Sequence, residues 1–210
     1  EITAGINAEL SQYKLDPKVT FTTPEFIFTY STEGKGGISR NLHRWGRKYQ
    51  IIGGTDTRDI LLNSWEGVYF KVNQEGMNKM MQDFASIGGE LFVMDDGWFG
   101  DKYPRNDGTS SLGDWVVCKE KLPEGIDALI DEAERNGIKF GIWIEPEMTN
   151  TKSELYEKHP DWVLRQPDRE PFKGRGETQL VLDLCNPKVQ DHVFNDVDNL
   201  MQAQPRIHYM

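Results

Sequence analysis

The sequence predicts an α/β fold. From Ile60 onward, short apolar strands alternate with amphipathic helical segments, and this alternation is typical of a parallel sheet. The second strand, Leu91–Met94, is apolar on both faces, as expected for a strand that helices cover on both sides. The turn after the first strand, Asn63–Gly67, lacks the glycine pattern of dinucleotide-binding sheets. We therefore expect the first half of a (β/α)8 TIM barrel, preceded by a β-rich segment and a connector helix.

Residues 1–58 differ from the rest and are predicted to form the end of a β domain. Thr20–Thr23 and Phe26–Tyr30 are rich in β-branched and aromatic residues, which favour strands. A glycine-rich loop follows, and Ser39 is then a candidate N-cap for a helix over Arg40–Tyr49. This helix would connect the β domain to the barrel.

Residues 59–210 contain four predicted strands with helices between them. The strands are expected at Asp59–Leu62, Leu91–Met94, Ile138–Ile144 and Arg206–Met210. The helices are expected at Asn73–Ile87, from Pro123 to Gly137, near Ser153–Lys158 and from Asn186 onward, with a hairpin through Gly174–Leu184. Because four strands are half of a barrel, the barrel is expected to be incomplete in this chain.

The composition excludes several classes of protein. The 210 residues carry 24 Lys and Arg against 34 Asp and Glu, a net charge of -10, and nucleic acid is not expected as a partner because phosphate binding needs a basic face. No apolar run of about 18 residues predicts a membrane span. No basic segment leads into an apolar stretch at the start, so no signal peptide is expected and the cytoplasm is the favoured compartment. Neither the two cysteines nor the histidines have metal-site spacing, so no metal or cofactor is expected.

Polar side chains follow the carboxyl ends of three predicted strands, where barrels of this kind place their sites. Asp95 and Asp96 come directly after the second strand. Two adjacent carboxylates repel each other when desolvated, so they need hydrogen-bond donors, and sugar hydroxyls could supply these. The alternative is a pair that caps or braces a loop.

The other candidate residues each have a structural alternative. Trp65 and Trp143 stand at strand ends beside acidic residues, but large aromatic side chains mostly belong to cores. Glu145 and Glu147 flank a proline and are either site groups or ligands for loop backbone. Arg175 lies in a glycine-rich turn, where an ordinary surface position is the alternative.

Five blocks of the sequence together carry a family signature. They are Leu61–Gly67, Asp95–Gly100, Ser110–Trp115, Gly141–Met148 and Gln179–Leu184. In this order and at this spacing they resemble the family 36 glycoside hydrolases, the microbial α-galactosidases, over about residues 20–210. The resemblance implies that residues 1–58 are the end of an N-terminal β-sandwich with its connector helix. It also implies that residues 59–210 are the first four strands of the catalytic barrel.

The resemblance implies a retaining hydrolysis of terminal α-linked galactose from oligosaccharides such as melibiose and raffinose. In the family, one Asp attacks the anomeric carbon and a second Asp protonates the leaving oxygen. The nucleophile belongs to a Lys-Trp-Asp motif at the end of the fourth strand, and the acid/base belongs to a later strand. Both are expected beyond Met210, so this chain alone is expected to be inactive.

Five residues of this chain are implied, by motif position, to bind the substrate. Asp95 and Asp96 resemble the pair that accepts hydrogen bonds from galactose hydroxyls around O4 and O6. Trp143 resembles the aromatic wall of the pocket, Trp65 its floor or rim, and Arg175 an arginine from the long third loop. Members of the family are often tetramers without metals, so a homo-oligomer without a metal is expected.

Two other functions stay open at this point. One is a galactosyl transferase of the raffinose-synthase type, and the other is a non-catalytic sugar-binding barrel. The acceptor subsite, which is mostly absent from this chain, would decide for the transferase. A Lys-Trp-Asp motif after Met210 would favour an enzyme, and loss of its Asp would favour the non-catalytic barrel.

Overall fold

The computed structural model describes residues 5–6 and 12–210, which divide into two compact units between Arg58 and Asp59. Residues 1–4 and 7–11, which belong to the segment predicted to be β-rich, lie outside the described residues. Among the described helices, none has the length and apolar character needed to cross a membrane.

The described residues of the first unit form one helix, α1 (Gly34–Tyr49). It ends where predicted but begins six residues before Arg40, so Ser39 lies inside it and is not its N-cap. Within the helix, Gly37 packs against Ser31 so closely that a Cβ would come within 1.9 Å of the Ser31 hydroxyl oxygen. The Asn41 amide also donates to Thr29 Oγ1 at 3.0 Å, which joins the helix to the chain before it.

The predicted strands at 20–23 and 26–30 are wrong for this chain. The described residues from 12 to 33 form no strand, and Phe28 and Tyr30 are 75% and 82% exposed. A strand needs a hydrogen-bonded neighbour for its backbone groups, and β-branched or aromatic composition alone does not provide one.

The second unit contains five strands and five α-helices. The strands are β1 (Leu61–Asn63), β2 (Leu91–Met94), β3 (Lys139–Ile142), β4 (Met148–Asn150) and β5 (Gln179–Val181). The helices are α2 (Trp65–Val68), α3 (Gln74–Ser86), α4 (Gly125–Arg135), α5 (Glu154–Lys158) and α6 (Pro187–Ala203), and two 3-10 turns span Pro160–Trp162 and Arg175–Glu177. The predicted α/β class is confirmed.

A parallel sheet in the order β1-β2-β3 forms the centre of the second unit. Leu62 pairs with Phe92, and Phe92 with Phe140, so the strands are in register at their middle residues. Strand β2 is fully buried, as its apolar sequence predicts. Helices α3 and α4 form the two crossovers and pack their apolar sides into the same core. All three strands therefore end at one edge of the sheet, which brings the predicted site residues together.

Three of the helices begin at side-chain caps that the sequence contains. The Asn73 side chain accepts a hydrogen bond from the backbone N–H of Gly76, and the Ser153 hydroxyl accepts one from Tyr156. Asn186 caps α6, with Pro187 at the first helical position. An N-cap oxygen satisfies a backbone donor that the helix leaves unpaired, so these boundaries were predictable from local sequence.

The C-terminal segment lies beside β3 but is not the strand predicted at Arg206–Met210. The backbone N–H of His208 donates to Phe140 O at 2.8 Å, and that of Ile142 donates to Tyr209 O at 2.9 Å. These bonds make a single parallel bridge between Gly141 and Tyr209. The direction is that of a fourth parallel strand, but two hydrogen bonds are too few for a ladder.

The predicted hairpin through Gly174–Leu184 is only partly formed. Lys173 and Leu180 make one antiparallel bridge, whereas the main partner of β5 is β4, which the sequence reading missed. Thr149 pairs with Leu180 in this second sheet. The pairing joins segments about thirty residues apart, and nothing local in either segment specifies the other.

Replacement of Phe92 by Ala tests the central position of β2. Phe92 has no exposed surface, so we expect Phe92→Ala to lower the free energy of unfolding by about 3–5 kcal/mol. Ile87→Ala is the matched control, because Ile87 is 83% exposed, and its cost should stay below about 0.5 kcal/mol. Urea unfolding followed by circular dichroism measures both, and equal costs would contradict the buried position of β2.

Candidate functional site

An open cavity of about 470 Å³ lies at the carboxyl ends of the parallel strands. All five predicted binding residues line it: Trp65, Asp95, Asp96, Trp143 and Arg175. Phe70, Arg105, Glu145 and Gln179 also contribute to its wall, with backbone and side chains of Gly108, Thr109, Gly176 and Thr178. The volume is in the range of small-molecule pockets. The five residues come from four separate segments of the chain, so only the fold brings them together.

Asp95 follows β2 and is half-buried. Its Oδ2 accepts a hydrogen bond of 2.5 Å from the Asn63 amide, and its Oδ1 accepts one of 2.7 Å from the backbone N–H of Asp96. The Ser64 hydroxyl accepts from the backbone N–H of Asp95 at 2.9 Å. Each carboxylate oxygen therefore has one protein donor and keeps acceptor capacity toward the cavity.

Asp96 is paired with Arg105, a residue that the sequence reading did not select. The Arg105 Nε and Nη2 groups donate to Asp96 Oδ1 and Oδ2, both at 2.8 Å. The exposed fractions are only 6% for Asp96 and 4% for Arg105. Arg105 thus supplies the hydrogen-bond donors that the Asp96 carboxylate needs. The role of Asp96 in binding a sugar stays a prediction. The signal in the sequence was weak, because Arg105 lies nine residues away in an irregular loop.

The two predicted indole rings form part of an aromatic lining. Trp65 is half-buried and makes an edge-to-face contact with Phe70, with ring centroids 5.0 Å apart. Trp143, also half-buried, stacks at 6.4 Å on Phe99, which has no exposed surface. Both rings are fixed by neighbouring aromatic rings and still keep surface on the cavity side.

Arg175 reaches the cavity from the 3-10 turn Arg175–Glu177 and is exposed. Gly174 donates its backbone N–H to Gln179 O at 2.7 Å, which closes the loop ahead of β5. Gly176 and Glu177 both have positive φ, at 67° and 59°. The turn is tight, and it carries Arg175 to the cavity wall just ahead of β5.

Glu145 lines the cavity, whereas Glu147 is not among its lining residues. Burial raises the pKa of the Glu145 carboxyl, while a hydrogen bond from Gln179 partly opposes this and the nearby charge of Glu147 adds to it. The sequence left both glutamates open as site groups. The structure separates them by position, with Glu145 facing the cavity.

Lys121 joins three segments of the chain behind the cavity by hydrogen bonds. Its ammonium group donates to the carbonyl oxygens of Phe70 and Gly97 at 2.8 Å and to that of Arg105 at 2.6 Å. Gly97 has φ +118°, and a Cβ there would lie 3.1 Å from the Phe70 backbone. Burial lowers the pKa of Lys121. This residue, like Arg105, acts through carbonyl and carboxylate partners that are distant in sequence, so no sequence motif identified it.

The part of the chain that the structure describes contains no group of three or more His, Cys, Asp or Glu side chains able to hold a metal ion. The cavity is lined by carboxylate acceptors, one exposed guanidinium and two indole faces. Acceptors and donors fixed around aromatic faces suit a small, hydroxyl-rich ligand, since such a ligand has both polar edges and apolar C–H faces. The fold and cavity thus define an α/β protein whose cavity combines polar groups with aromatic faces.

Comparison with known proteins agrees with that class. The family model described as Melibiase matches residues 20–210, and the chain belongs to the melibiase family. The chain is 41% identical over 209 residues to alpha-galactosidase C of Emericella nidulans, covering 95% of this chain and 28% of that protein. These matches confirm the resemblance to the family 36 α-galactosidases.

Solved structures agree as well. The chain superimposes on the family 36 α-galactosidase AgaA of Geobacillus stearothermophilus with a TM-score of 0.89 at 40% identity, over 98% of this chain and 28% of that one. A doubly substituted AgaA in complex with stachyose matches with a TM-score of 0.84 at 40% identity, over 92% of this chain and 26% of that one. The chain therefore spans little more than a quarter of the length of the relatives it matches.

Glu145→Gln tests the electrostatics of the cavity. The raised pKa means that the folded protein disfavours the ionised carboxylate, so Glu145 costs stability as the pH rises through that pKa. We expect the gain in unfolding free energy from Glu145→Gln, relative to the unsubstituted protein, to be larger near pH 7 than near pH 4. Urea unfolding across this range measures it.

Glu170→Gln, at an exposed loop position, is the control for the chemistry of the substitution itself. A Glu145→Gln effect that does not grow with pH relative to this control would contradict the burial of the carboxylate.

Proposed function

We propose that this chain carries the galactose-binding half of the active site of a retaining α-galactosidase, a longer protein that hydrolyses terminal α-linked galactose from oligosaccharides such as melibiose and raffinose. The observation that carries the proposal is the convergence of Trp65, Asp95, Asp96, Trp143 and Arg175 on one cavity. Membership of the melibiase family and the names of the relatives support it. The complex of AgaA with stachyose supports an oligosaccharide as the ligand.

In this proposal the two carboxylates select galactose by its hydroxyls. Asp95 and Asp96 accept hydrogen bonds from the sugar around O4 and O6, with the acceptor capacity that Asn63 and Arg105 leave free. A sugar with an equatorial 4-hydroxyl would leave a buried acceptor unpaired. Each such loss costs about 1–3 kcal/mol, so the site would discriminate between epimers mainly by this penalty.

The remaining three residues would hold the other faces of the sugar. The exposed surface of Trp143 provides a flat apolar wall for the C–H face of the ring, and Trp65 limits the cavity on another side. Arg175, which is exposed on its turn, would donate to a ring hydroxyl. Glu145 lies at the same wall and adds a further polar group.

We also propose that residues 59–210 are the first half of a (β/α)8 barrel. Residues 12–33 form no strand in this chain, so only the family resemblance supports the proposal that residues 1–58 are the end of a β-sandwich with its connector helix. Strand β1 pairs on one side only, and the apolar Ile60 and Leu61 beside that open edge are 61% and 42% exposed. Tyr209 lies next to β3, where a fourth strand would pair. A sheet in need of neighbours on both sides suits half of a closed barrel.

The two catalytic carboxylates would lie in the part of the longer protein outside these residues. A nucleophilic Asp would form a covalent glycosyl-enzyme, and a second Asp would protonate the leaving oxygen and then activate water. In a retaining enzyme the two carboxyl groups are about 5–5.5 Å apart and flank the scissile bond, so both must reach the anomeric carbon of the bound sugar. Assembly into a homo-oligomer stays a prediction from the family resemblance.

Asp95→Asn in the full-length protein that contains this chain tests the substrate-binding role. Loss of the charged acceptor should lower kcat/KM for p-nitrophenyl α-galactoside by about 10- to 100-fold, because hydrogen bonds to charged groups are worth about 1.5–3 kcal/mol. Asp101→Asn makes the same chemical change at an exposed position away from the cavity and should leave kcat/KM unchanged. Unchanged kinetics for Asp95→Asn, with normal thermal unfolding, would remove the pair from the substrate site.

The isolated 210-residue chain tests where the catalytic groups lie. We expect it to release no p-nitrophenol from the α-galactoside, since neither catalytic carboxylate is assigned within it. The full-length protein assayed in parallel should release it, and should not act on the β-galactoside or the α-glucoside. Turnover by the isolated chain would contradict the proposed division. A full-length protein that binds galactose without turnover would instead favour a non-catalytic sugar-binding protein.

A further inference from the structure

We propose that Arg105 is a positioning residue of the cavity, which orients the Asp96 carboxylate and, through Asn150, the turn that carries Arg175. The inference rests on the proposed function, because it assigns Arg105 a role in binding the sugar without direct contact. The exposed fraction of Arg105 is 4%, so its side chain offers almost no surface to a ligand. Its effect must pass through the groups that it holds.

The first of these groups is the Asp96 carboxylate. Arg105 Nε and Nη2 each donate to one carboxylate oxygen at 2.8 Å, in the parallel two-bond arrangement that a planar guanidinium makes with a carboxylate. This leaves one acceptor direction on each oxygen and fixes where it points. Replacing a buried ion pair with apolar residues is often neutral or stabilising, so stability alone does not account for the pair.

Aromatic rings and backbone hold the guanidinium itself in place. Its central carbon lies 5.1 Å from the centroid of Phe70 and 5.7 Å from that of Phe99. Nη1 donates to Ser110 O at 2.7 Å. Since Phe70 also contacts Trp65 edge to face, the same packing that fixes Arg105 fixes an indole on the cavity wall.

Asn150, at the end of β4, connects Arg105 to the second sheet. Its Oδ1 accepts from Arg105 Nη1 at 3.1 Å and from the backbone N–H of Leu112 at 3.0 Å. Its amide nitrogen donates to Gly108 O at 3.3 Å and to Thr178 O at 3.1 Å. Asn150 itself has no exposed surface, and its bonds to Arg105 and Leu112 are buried, whereas those to Gly108 and Thr178 are partly buried.

Thr178 directly follows the turn Arg175–Glu177. The hydrogen bonds of Asn150 therefore tie the position of Arg175 to that of the Arg105–Asp96 pair. One buried cation thus aligns an acceptor and a donor that face the cavity from two different sheets. A lysine at this position would keep the charge but could not make the four directed bonds of Arg105.

The test uses the full-length protein that contains this chain and three variants: Arg105→Lys, Asp96→Asn and their combination. Galactose affinity is measured by isothermal titration calorimetry, and KM and kcat are measured with p-nitrophenyl α-galactoside. We expect Arg105→Lys to raise the galactose Kd about tenfold and to raise KM more than it lowers kcat, because the residue orients ground-state hydrogen bonds. Because Arg105 acts partly through Asp96 and partly through Asn150, the double variant should bind galactose more weakly than Asp96→Asn alone, but with a loss smaller than the sum of the two single losses.

Arg206→Lys is the matched control, since Arg206 makes ion pairs with Asp131 and Glu134 away from the cavity. It should leave both Kd and KM unchanged. Arg105→Gln is a second variant, which keeps a planar donor without the charge, and should also weaken galactose binding while thermal unfolding shows a folded protein.

The outcomes separate this inference from the proposed function. Normal galactose affinity in both folded Arg105 variants would overturn the inference alone, as would fully additive losses in the double variant. Failure of both variants to fold would assign Arg105 a structural role and overturn the inference as well. A wild-type protein that neither binds galactose nor hydrolyses the α-galactoside would overturn the proposed function, and the positioning role would fall with it.

Discussion

Two consecutive carboxylates at the end of a buried strand need hydrogen-bond donors or a cation beside them, and this need is the main electrostatic constraint on the fold. Asp95 accepts a hydrogen bond from the Asn63 amide at the neighbouring strand end, whereas Asp96 accepts hydrogen bonds from Arg105 in the loop that follows. The loop must therefore fold back over the strand ends, and Lys121 and Gly97 hold it there through backbone contacts. The folded-back loop shapes the cavity, because residues of this loop contribute to the cavity wall.

The parallel sheet and the small antiparallel sheet have different parts in the site. Strands β1, β2 and β3 bring the polar strand ends to one edge, and β2 and most of β3 are buried in the core. Strands β4 and β5 carry the outer wall, including Gln179 and the turn with Arg175. The first sheet thus positions the Asp95 and Asp96 carboxylates, while the second sheet positions the exposed Arg175 guanidinium.

The sequence specifies the features that depend on local chemistry. Strand β2 and the starts of α3 and α6 are found where Leu91–Met94, Asn73 and Asn186 predict them, since burial on both faces and N-caps are encoded within a few residues. Trp65, Asp95, Asp96 and Trp143 were predictable because motifs place them just after strands, and Arg175 because a family motif includes it. Arg105 and the β4–β5 pairing were not, because tertiary packing, and no local motif, sets their partners. The absent strands near Phe28 show the same limit, since composition supplies no pairing partner.

The half-buried indoles of Trp65 and Trp143 make the intrinsic fluorescence of the protein sensitive to what occupies the cavity. Both rings line the cavity, and each also packs against another aromatic ring on its inner side. Indole emission moves to shorter wavelength when water leaves the ring, so occupancy of the cavity by an unlabelled ligand would be visible in the intrinsic fluorescence of the protein. The stacking of His159 on Trp162, outside the cavity, supplies an internal reference ring whose surroundings such a ligand would not touch.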